Sequence, residues 1–304
     1  LYPYIRDKND KLPKREMRRI AGDVKNIFVG KISGVITNST DSILINVLVG
    51  TVQTGLYSNY NIILGTLSAT VNQLSAAMKG SIGNLVASES PEHINRVFNR
   101  LLFIMFLIGS FCACCLTGLI DPFIELVFGK NLLLSRITVY ICIFNMYMTA
   151  VDIPVWSMVA ASGLFKYDKY ISIAGSGINL IVSYFLGRRI GMAGVLAGTS
   201  CTYVIQFTLK IILFYSKFLK RSSIRLFAKN IAFLAVTAAE CALVSFITGR
   251  IKISDPYIGF VAFACVSAVI PIICGSLVFC RSEEFLYSIR LVKGIFLKGK
   301  GENI

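Results

Sequence analysis

The chain has 304 residues, of which 55% are hydrophobic and 15% charged, and its formal net charge is +15. A soluble domain of ordinary composition carries about a quarter charged residues, so these totals exclude a water-soluble protein for most of the chain. The solvent that remains is a lipid bilayer, whose hydrocarbon core is crossed by a helix of about 20 apolar residues.

The N-terminal stretch, residues 1–26, is polar and rich in Lys and Arg. The chain begins with Leu1 and lacks the short apolar core of a signal peptide. Because it does not begin with Met, we expect it to be a piece of a longer protein. Apolar residues recur in this stretch at near-helical spacing, at Leu12, Met17, Ile20 and Val24. This pattern predicts a basic amphipathic helix at a membrane surface or in the cytosol.

Eight apolar runs follow, each of about 17–25 residues, the length that spans a bilayer. Because open sheet edges cannot satisfy their backbone groups in lipid, these runs predict an all-α integral membrane fold with eight transmembrane helices. The connections at residues 50–55 and 188–191 are short and predict antiparallel neighbours. The runs cover residues 27–49, 56–78, 97–120, 137–161, 170–186, 192–215, 231–248 and 257–279.

The distribution of Lys and Arg predicts the orientation. With a cytoplasmic N-terminus, the cytoplasmic segments hold 23 of these residues and the outside loops hold 6, as the positive-inside rule requires. Both termini are therefore expected in the cytoplasm, where basic faces meet anionic lipids and no nucleic acid is needed to explain the charge. After the last run, apolar residues again recur at helical spacing, at Phe285, Ile289, Val292 and Phe296. This spacing predicts an interfacial helix.

These elements divide the chain into four segments. We expect a basic cytoplasmic linker, a six-helix transmembrane lobe, two additional transmembrane helices and a basic cytoplasmic tail. No connection is long enough for a separate soluble domain. The four segments cover residues 1–26, 27–215, 216–280 and 281–304.

Nothing in the sequence indicates catalysis or a bound cofactor. The nine cysteines lie within or at the edges of the apolar runs, without a CxxC pair or metal-ligand spacing, so we expect them to be small apolar core residues. The one histidine, His93, lies in a predicted cytoplasmic loop, and the nucleotide-binding pattern GxxxxGK[ST] is absent. We therefore expect a protein that is not an enzyme and that has no metal or cofactor.

Polar residues inside the spans form the candidate site, because they are costly in hydrocarbon and commonly face a cavity or another helix. Asp41 lies near the middle of the first run, and Lys31 lies ten residues earlier, about 15 Å along the axis. The alternative is that Lys31 snorkels to the interface and Asp41 bonds to a neighbouring helix. The cavity candidates are Lys31, Asn38, Asp41, Asn72, Asp152, Lys210 and Glu240.

Three of these candidates carry further expectations. Asp152 lies two residues before Pro154, where the proline can kink the helix, so a hinge and a static kink are both open. Lys210 lies close enough to the cytoplasmic end of its run to snorkel. Glu240 stands alone in mid-run, and an unpaired acid should face protein or be protonated. A separate feature of the sixth run is a GxxxG pair, Gly194 and Gly198, which allows two helices to pack closely.

Four stretches together form a family pattern. A helix with Asp41 near its middle is followed by a short external turn and by GLYSNY at residues 55–60, which opens the next helix. The stretches IGNL at 82–85 and FIELVFG at 123–129 continue it. In these features the chain resembles the polysaccharide-biosynthesis flippases of the multidrug/oligosaccharidyl-lipid/polysaccharide exporter superfamily, over nearly its whole length.

The resemblance implies an architecture of two helical lobes, to which some members add a C-terminal helix pair. This chain would be the second lobe of six helices plus that pair, without the first lobe. Half of the alternating-access cavity would then lie outside the chain, and such carriers need both halves to transport.

The resemblance also implies a function in the bacterial cytoplasmic membrane. The chain would belong to a flippase that moves undecaprenyl-diphosphate-linked oligosaccharide for surface polysaccharide such as lipopolysaccharide O-antigen. Lys31 or Lys210 would attract the diphosphate, and protons or sodium would be coupled by Asp41, Asp152 or Glu240. The expected partners are the lipid-linked oligosaccharide, anionic membrane lipids and the missing N-terminal lobe.

Three alternatives stay open. A cation-coupled multidrug exporter of the same superfamily would have a cavity dominated by acids. A membrane glycan polymerase or ligase would need a large external loop with Arg and His, whereas the longest outside loop here, residues 121–136, has no His. The third alternative is a scaffold that does not transport.

Overall fold

The computed structural model describes residues 13–298, apart from the side chains of 36–38, 75, 77, 292 and 294–298. The described residues are helical and contain no strand, so the predicted all-α class is confirmed. A short 3₁₀ turn, Lys130–Leu132, precedes the fourth helix, and a π-helical segment, Phe214–Leu219, extends the sixth. The long helices are α1 (Lys14–Leu48), α2 (Thr51–Ser88), α3 (Pro91–Val127), α4 (Arg136–Ala161), α5 (Phe165–Ile190), α6 (Met192–Leu213), α7 (Ile224–Arg250), α8 (Pro256–Phe279) and α9 (Glu283–Lys298).

Six of these helices, α3 to α8, are long and apolar enough to cross a membrane. Together they support a multi-pass membrane protein. Helices α1 and α2 correspond to the first two predicted spans, and with 35 and 38 residues they are longer than α4 to α8, but they are not among the six. The charged and amide residues that make the first two runs candidates for a site also lower their hydropathy.

The predicted linker and the first predicted span form one continuous helix. Helix α1 begins at Lys14 and runs through residues 26 and 27 without a break. Residues 1–12 lie outside the described part of the chain. At the other end, the predicted interfacial helix is present as α9, whose last described residue is Lys298.

Helix α3 is the centre of one half of the molecule, where it packs against α4, α7, α8 and α9. Its aromatic residues fill the space between these helices. The Phe106 ring stacks on Phe233 of α7 with centroids 4.3 Å apart, and Phe103 meets Phe279 at 5.3 Å and Phe285 of α9 at 6.4 Å. Aromatic pairs in such geometries add to the stabilisation from burial, so these contacts hold α9 to the bundle.

A polar contact also fixes α9. The Glu284 carboxylate accepts a hydrogen bond from the Lys229 ammonium of α7, and the Arg100 guanidinium lies 4.2 Å from the centroid of the Tyr287 ring. Partial burial raises the pKa of Glu284, but the hydrogen bond and charge of Lys229 outweigh it and hold that pKa below its usual value. The carboxylate therefore stays charged, and the contact persists, at neutral pH.

The other half of the molecule is built on α5 and α6, which form the most extensive helix interface of the described chain. Helix α1 packs on α5, and α2 packs on α4. The predicted antiparallel neighbours α1 and α2 are joined at Gly50 (φ 116°), but their mutual interface is much smaller than either of these. The two helices therefore diverge from their turn and leave an open space between them.

Two glycines bring α5 and α6 together. A Cβ on Gly194 would lie 2.2 Å from the Leu186 carbonyl oxygen, and a Cβ on Gly198 would lie 2.1 Å from Ser183 Oγ and 2.6 Å from its backbone nitrogen. The predicted GxxxG contact is confirmed. By contrast, a Cβ on Gly177, also on α5, would meet nothing within 4 Å.

The cysteines are only partly as expected. All nine are free, and Cys112, Cys114 and Cys142 are buried. The prediction of core positions is wrong for three of them, because Cys201, Cys265 and Cys280 are exposed. An apolar run does not reveal which side of its helix faces the protein.

The substitution Gly198→Ala should lower the melting temperature of the purified protein in detergent. The added methyl group would force α6 away from the Ser183 backbone, and overpacking of this kind costs about 1–3 kcal/mol. Gly177→Ala is the matched control, which should keep or slightly raise the melting temperature because alanine is the better helix former. An equal fall in both variants would contradict the close approach.

Candidate functional site

Three adjoining cavities form one groove between α1, α2, α4, α5 and α6. We name them the Asp41 cavity (about 320 Å³), the Trp156 cavity (about 360 Å³) and the Lys31 cavity (about 240 Å³). The Tyr203 side chain lines all three. Because neighbouring cavities share further lining residues, the groove is continuous from the Asp41 end to the Lys31 end.

The Asp41 cavity contains a buried hydrogen-bonded chain that crosses three helices. The Thr199 hydroxyl of α6 donates to Asp41 of α1, with its oxygen 2.8 and 2.9 Å from the two carboxylate oxygens. The Asn179 amide of α5 donates to Thr199 Oγ1 at 2.9 Å. Asn179 is fully buried, and its Oδ1 has no hydrogen-bond partner in the described structure. This part of the groove therefore presents the Asp41 carboxylate, and the unpaired Asn179 oxygen lies outside the cavity lining, next to Thr199.

The Lys31 cavity contains a buried cation between two acids. The Lys210 ammonium lies 3.5 Å from Asp152 Oδ2, and the lysine is 5% exposed. Asp168 lines the same cavity, and one oxygen of each aspartate is buried without a hydrogen-bond partner. Burial of Lys210 excludes the expected alternative that it snorkels freely to the interface.

The Trp156 cavity joins the two ends. The Lys79 ammonium lies 5.1 Å from the centroid of the Trp156 ring, a cation–π contact, and both residues line this cavity with Asp152. Lys31 and Lys79 are exposed. At this end of the groove three lysines therefore face two aspartates, which leaves an excess of one positive charge.

The groove brings together five of the seven candidates from the sequence: Lys31, Asp41, Asn72, Asp152 and Lys210. Glu240 lies elsewhere, between α3 and α7, where its carboxylate accepts a hydrogen bond from the Ser110 hydroxyl and so faces protein. The side chain of Asn38 lies outside the described part of the structure.

Sequence reasoning missed Asp168, Thr199 and Tyr203, which line the groove, and Asn179, which bonds to Thr199. The fifth apolar run begins at residue 170 and leaves Asp168 in the preceding loop, whereas α5 begins at Phe165. The other three are uncharged residues inside apolar runs, and such residues also occur as ordinary helix contacts.

Pro154 does not break α4, which continues through it from Arg136 to Ala161. The acid two residues earlier is bound to Lys210 of α6. Within the described part of the chain, no cluster of three or more His, Cys, Asp or Glu residues has a metal-holding arrangement.

No protein-family model, curated protein or solved structure matches the chain. The groove joins a carboxylate at one end to a lysine-rich region at the other, and aromatic and amide side chains line it in between.

The substitution Thr199→Val should destabilise the protein, because it keeps the shape of the side chain but removes the hydroxyl that joins Asp41 to Asn179. Loss of a buried hydrogen-bond partner costs about 1–3 kcal/mol. The measurement is thermal unfolding in detergent. Thr202→Val is the control, since the Thr202 hydroxyl bonds to the Gly198 carbonyl of its own helix. A loss no larger than that of the control would show that the chain of hydrogen bonds does not hold the helices.

Proposed function

We propose that this chain is part of a flippase that moves an anionic, lipid-linked oligosaccharide across a bacterial cytoplasmic membrane. The observation that carries the proposal is the continuous polar groove lined at three successive cavities by Tyr203. Six apolar helices support its insertion in a membrane. A polar path beside apolar helices is the arrangement that a carrier of a hydrophilic headgroup needs.

The lysines support an anionic substrate. Lys31 and Lys79 are exposed in the groove, and a diphosphate headgroup accepts charge-assisted hydrogen bonds from such ammonium groups. Trp156 lies beside both lysine-bearing cavities. A drug exporter for cationic compounds would need acids rather than lysines along the groove, so the excess of positive charge at the lysine-rich end favours the lipid-linked diphosphate.

The Asp41 cavity is the proposed site for a coupling ion. Asp41 and Thr199 line the cavity with a carboxylate and a hydroxyl oxygen, and Asn179, which bonds to Thr199, holds a buried oxygen without a hydrogen-bond partner just outside that lining. Oxygen ligands of this kind suit a small hard cation, and the carboxylate alone suits a proton. The groove would then bind the cation and the anionic headgroup at opposite ends.

The open side of the groove supports a second bundle as partner. Helices α1 and α2 diverge, and both carry exposed apolar side chains, including Val47 (72% exposed) and Ile62 (63% exposed). We propose that a first lobe of the same polypeptide faces these helices and completes the cavity. Anionic lipids would meet the basic cytoplasmic surfaces.

The proposed orientation has eight spans, with both termini in the cytoplasm. In a cysteine-free background, Glu89→Cys, between α2 and α3, should be protected from an impermeant thiol reagent in intact cells. Asn131→Cys, between α3 and α4, should be labelled. Both positions are exposed, so permeabilised cells should label both and provide the control. Labelling of Glu89→Cys alone in intact cells would reverse the orientation.

The transport proposal is tested in the full-length protein reconstituted in vesicles. Asp41→Ala and Lys31→Ala should each lower translocation of lipid-linked oligosaccharide by about tenfold or more, since a charge-assisted contact contributes about 1.5–3 kcal/mol. Lys252→Ala, an exposed cation outside the groove, is the matched control. Unchanged translocation in both groove variants would overturn the site assignment. Uptake of small cationic compounds instead would favour the drug-exporter alternative.

A further inference from the structure

A second groove lies between α3, α4 and α7 and shares no lining residue with the polar groove. It consists of two adjoining cavities of about 380 and 300 Å³, both lined by Thr117, Tyr140 and Ile143. Helix α7 packs chiefly against α3 and α8. Small residues on the α7 side, Ala238 and Ala242, leave the space beside α4 open.

The groove changes character along its length. Its first cavity lies where α3 ends and α4 begins, and it is lined by Asp121, Glu125 and Arg136. The second cavity has no charged residue in its lining and includes Phe144 and Leu234. One end of the groove is therefore charged and the other apolar.

The length of the groove matches one leaflet of a bilayer. On α7 it extends from Gly249 in the first cavity to Leu234 in the second. Fifteen residues of α helix cover about 22 Å, and half of a bilayer with its headgroups is about 20–22 Å thick. In the proposed orientation, the charged end lies at the outer headgroup level and the apolar end lies near the middle of the membrane.

The charged end is fixed in position. The Tyr60 hydroxyl of α2 donates to Asp121 Oδ1 at 2.8 Å and accepts from the Leu134 backbone N–H at 3.2 Å. The Tyr140 and Ser245 hydroxyls lie 3.2 Å apart and join α4 to α7 where the two cavities meet. Asp121 keeps a second oxygen for a ligand, while Glu125 and Arg136 are exposed.

We infer that this groove binds a phospholipid of the outer leaflet whose headgroup carries both a primary ammonium and a phosphate. The ammonium pairs with Asp121 and Glu125, and the phosphate pairs with Arg136. One acyl chain occupies the apolar cavity. Two carboxylates against one guanidinium disfavour a purely anionic headgroup. The inference requires membrane insertion of α3, α4 and α7, which are all apolar enough, but it does not depend on transport.

The test is lipid occupancy of the purified chain in nanodiscs that contain equal parts of phosphatidylethanolamine, phosphatidylcholine and phosphatidylglycerol. Native mass spectrometry after release in mild detergent should show retained phosphatidylethanolamine in about tenfold excess over each of the other two lipids, the ratio that one charge-assisted contact supplies. A quaternary ammonium cannot donate a hydrogen bond, and phosphatidylglycerol has no cation.

Two pairs of variants make the test specific to the groove. Ala238→Phe fills the apolar cavity and should abolish retention, whereas Ala239→Phe, the next residue on α7, lines neither cavity and should leave retention unchanged. Glu125→Gln with Arg136→Gln should remove the headgroup preference, whereas Lys130→Gln, an exposed cation in the same connection, should keep it. Equal retention of all three lipids by the unaltered chain, or equal loss in Ala238→Phe and Ala239→Phe, would overturn the inference.

Lipid occupancy and translocation are separate measurements. A chain that retains the phospholipid but does not move oligosaccharide would leave this inference standing and remove the proposed function. A chain that moves oligosaccharide but shows no lipid preference would support the proposed function and overturn this inference.

Discussion

The hydrogen bond from Thr199 to Asp41 holds the most polar helix of the chain against an apolar pair. An ionisable side chain is costly in hydrocarbon unless protein or water surrounds it, and the part of α1 within the first predicted span contains two, Lys31 and Asp41. Asp41 is covered by α5 and α6, and the Ser176 hydroxyl of α5 donates to the Ser33 carbonyl of α1 at 3.0 Å. This anchoring places α1 on α5, so α2 is free to diverge and the groove opens between them.

Helix α4 separates two spaces of different chemistry. One side faces the polar groove through Asp152 and Trp156, and the other faces the amphipathic groove through Tyr140 and Phe144. A helix buried on both sides carries little amphipathic signal, and the sequence of α4 accordingly reads as one apolar run. The two grooves therefore differ in chemistry and have no lining residue in common.

The sequence predicted the helices well where apolarity alone decides, as in α4, expected at 137–161 and observed at Arg136–Ala161. At α1 the basic segment and the first apolar run form one continuous helix, because the change in hydropathy at residue 27 does not interrupt the backbone hydrogen bonds. The sequence indicated Asp41 and Lys210 through their charge. It could not find Thr199 or Asn179, or pair Glu240 with Ser110, because these contacts join residues distant in the chain.

The lysines of the groove are of two kinds, one buried and paired and two exposed. This difference determines the order in which they would bind an anionic headgroup. Lys210 is buried and paired with Asp152, and withdrawing a partner from a buried ion pair costs about 3–5 kcal/mol. Exposed Lys31 and Lys79 carry no such cost. An anion entering the groove would therefore bind to the exposed pair first, while Lys210 keeps α4 and α6 together. Its transfer to Lys210 would release Asp152, so any further movement of the anion must be coupled to a rearrangement of those two helices.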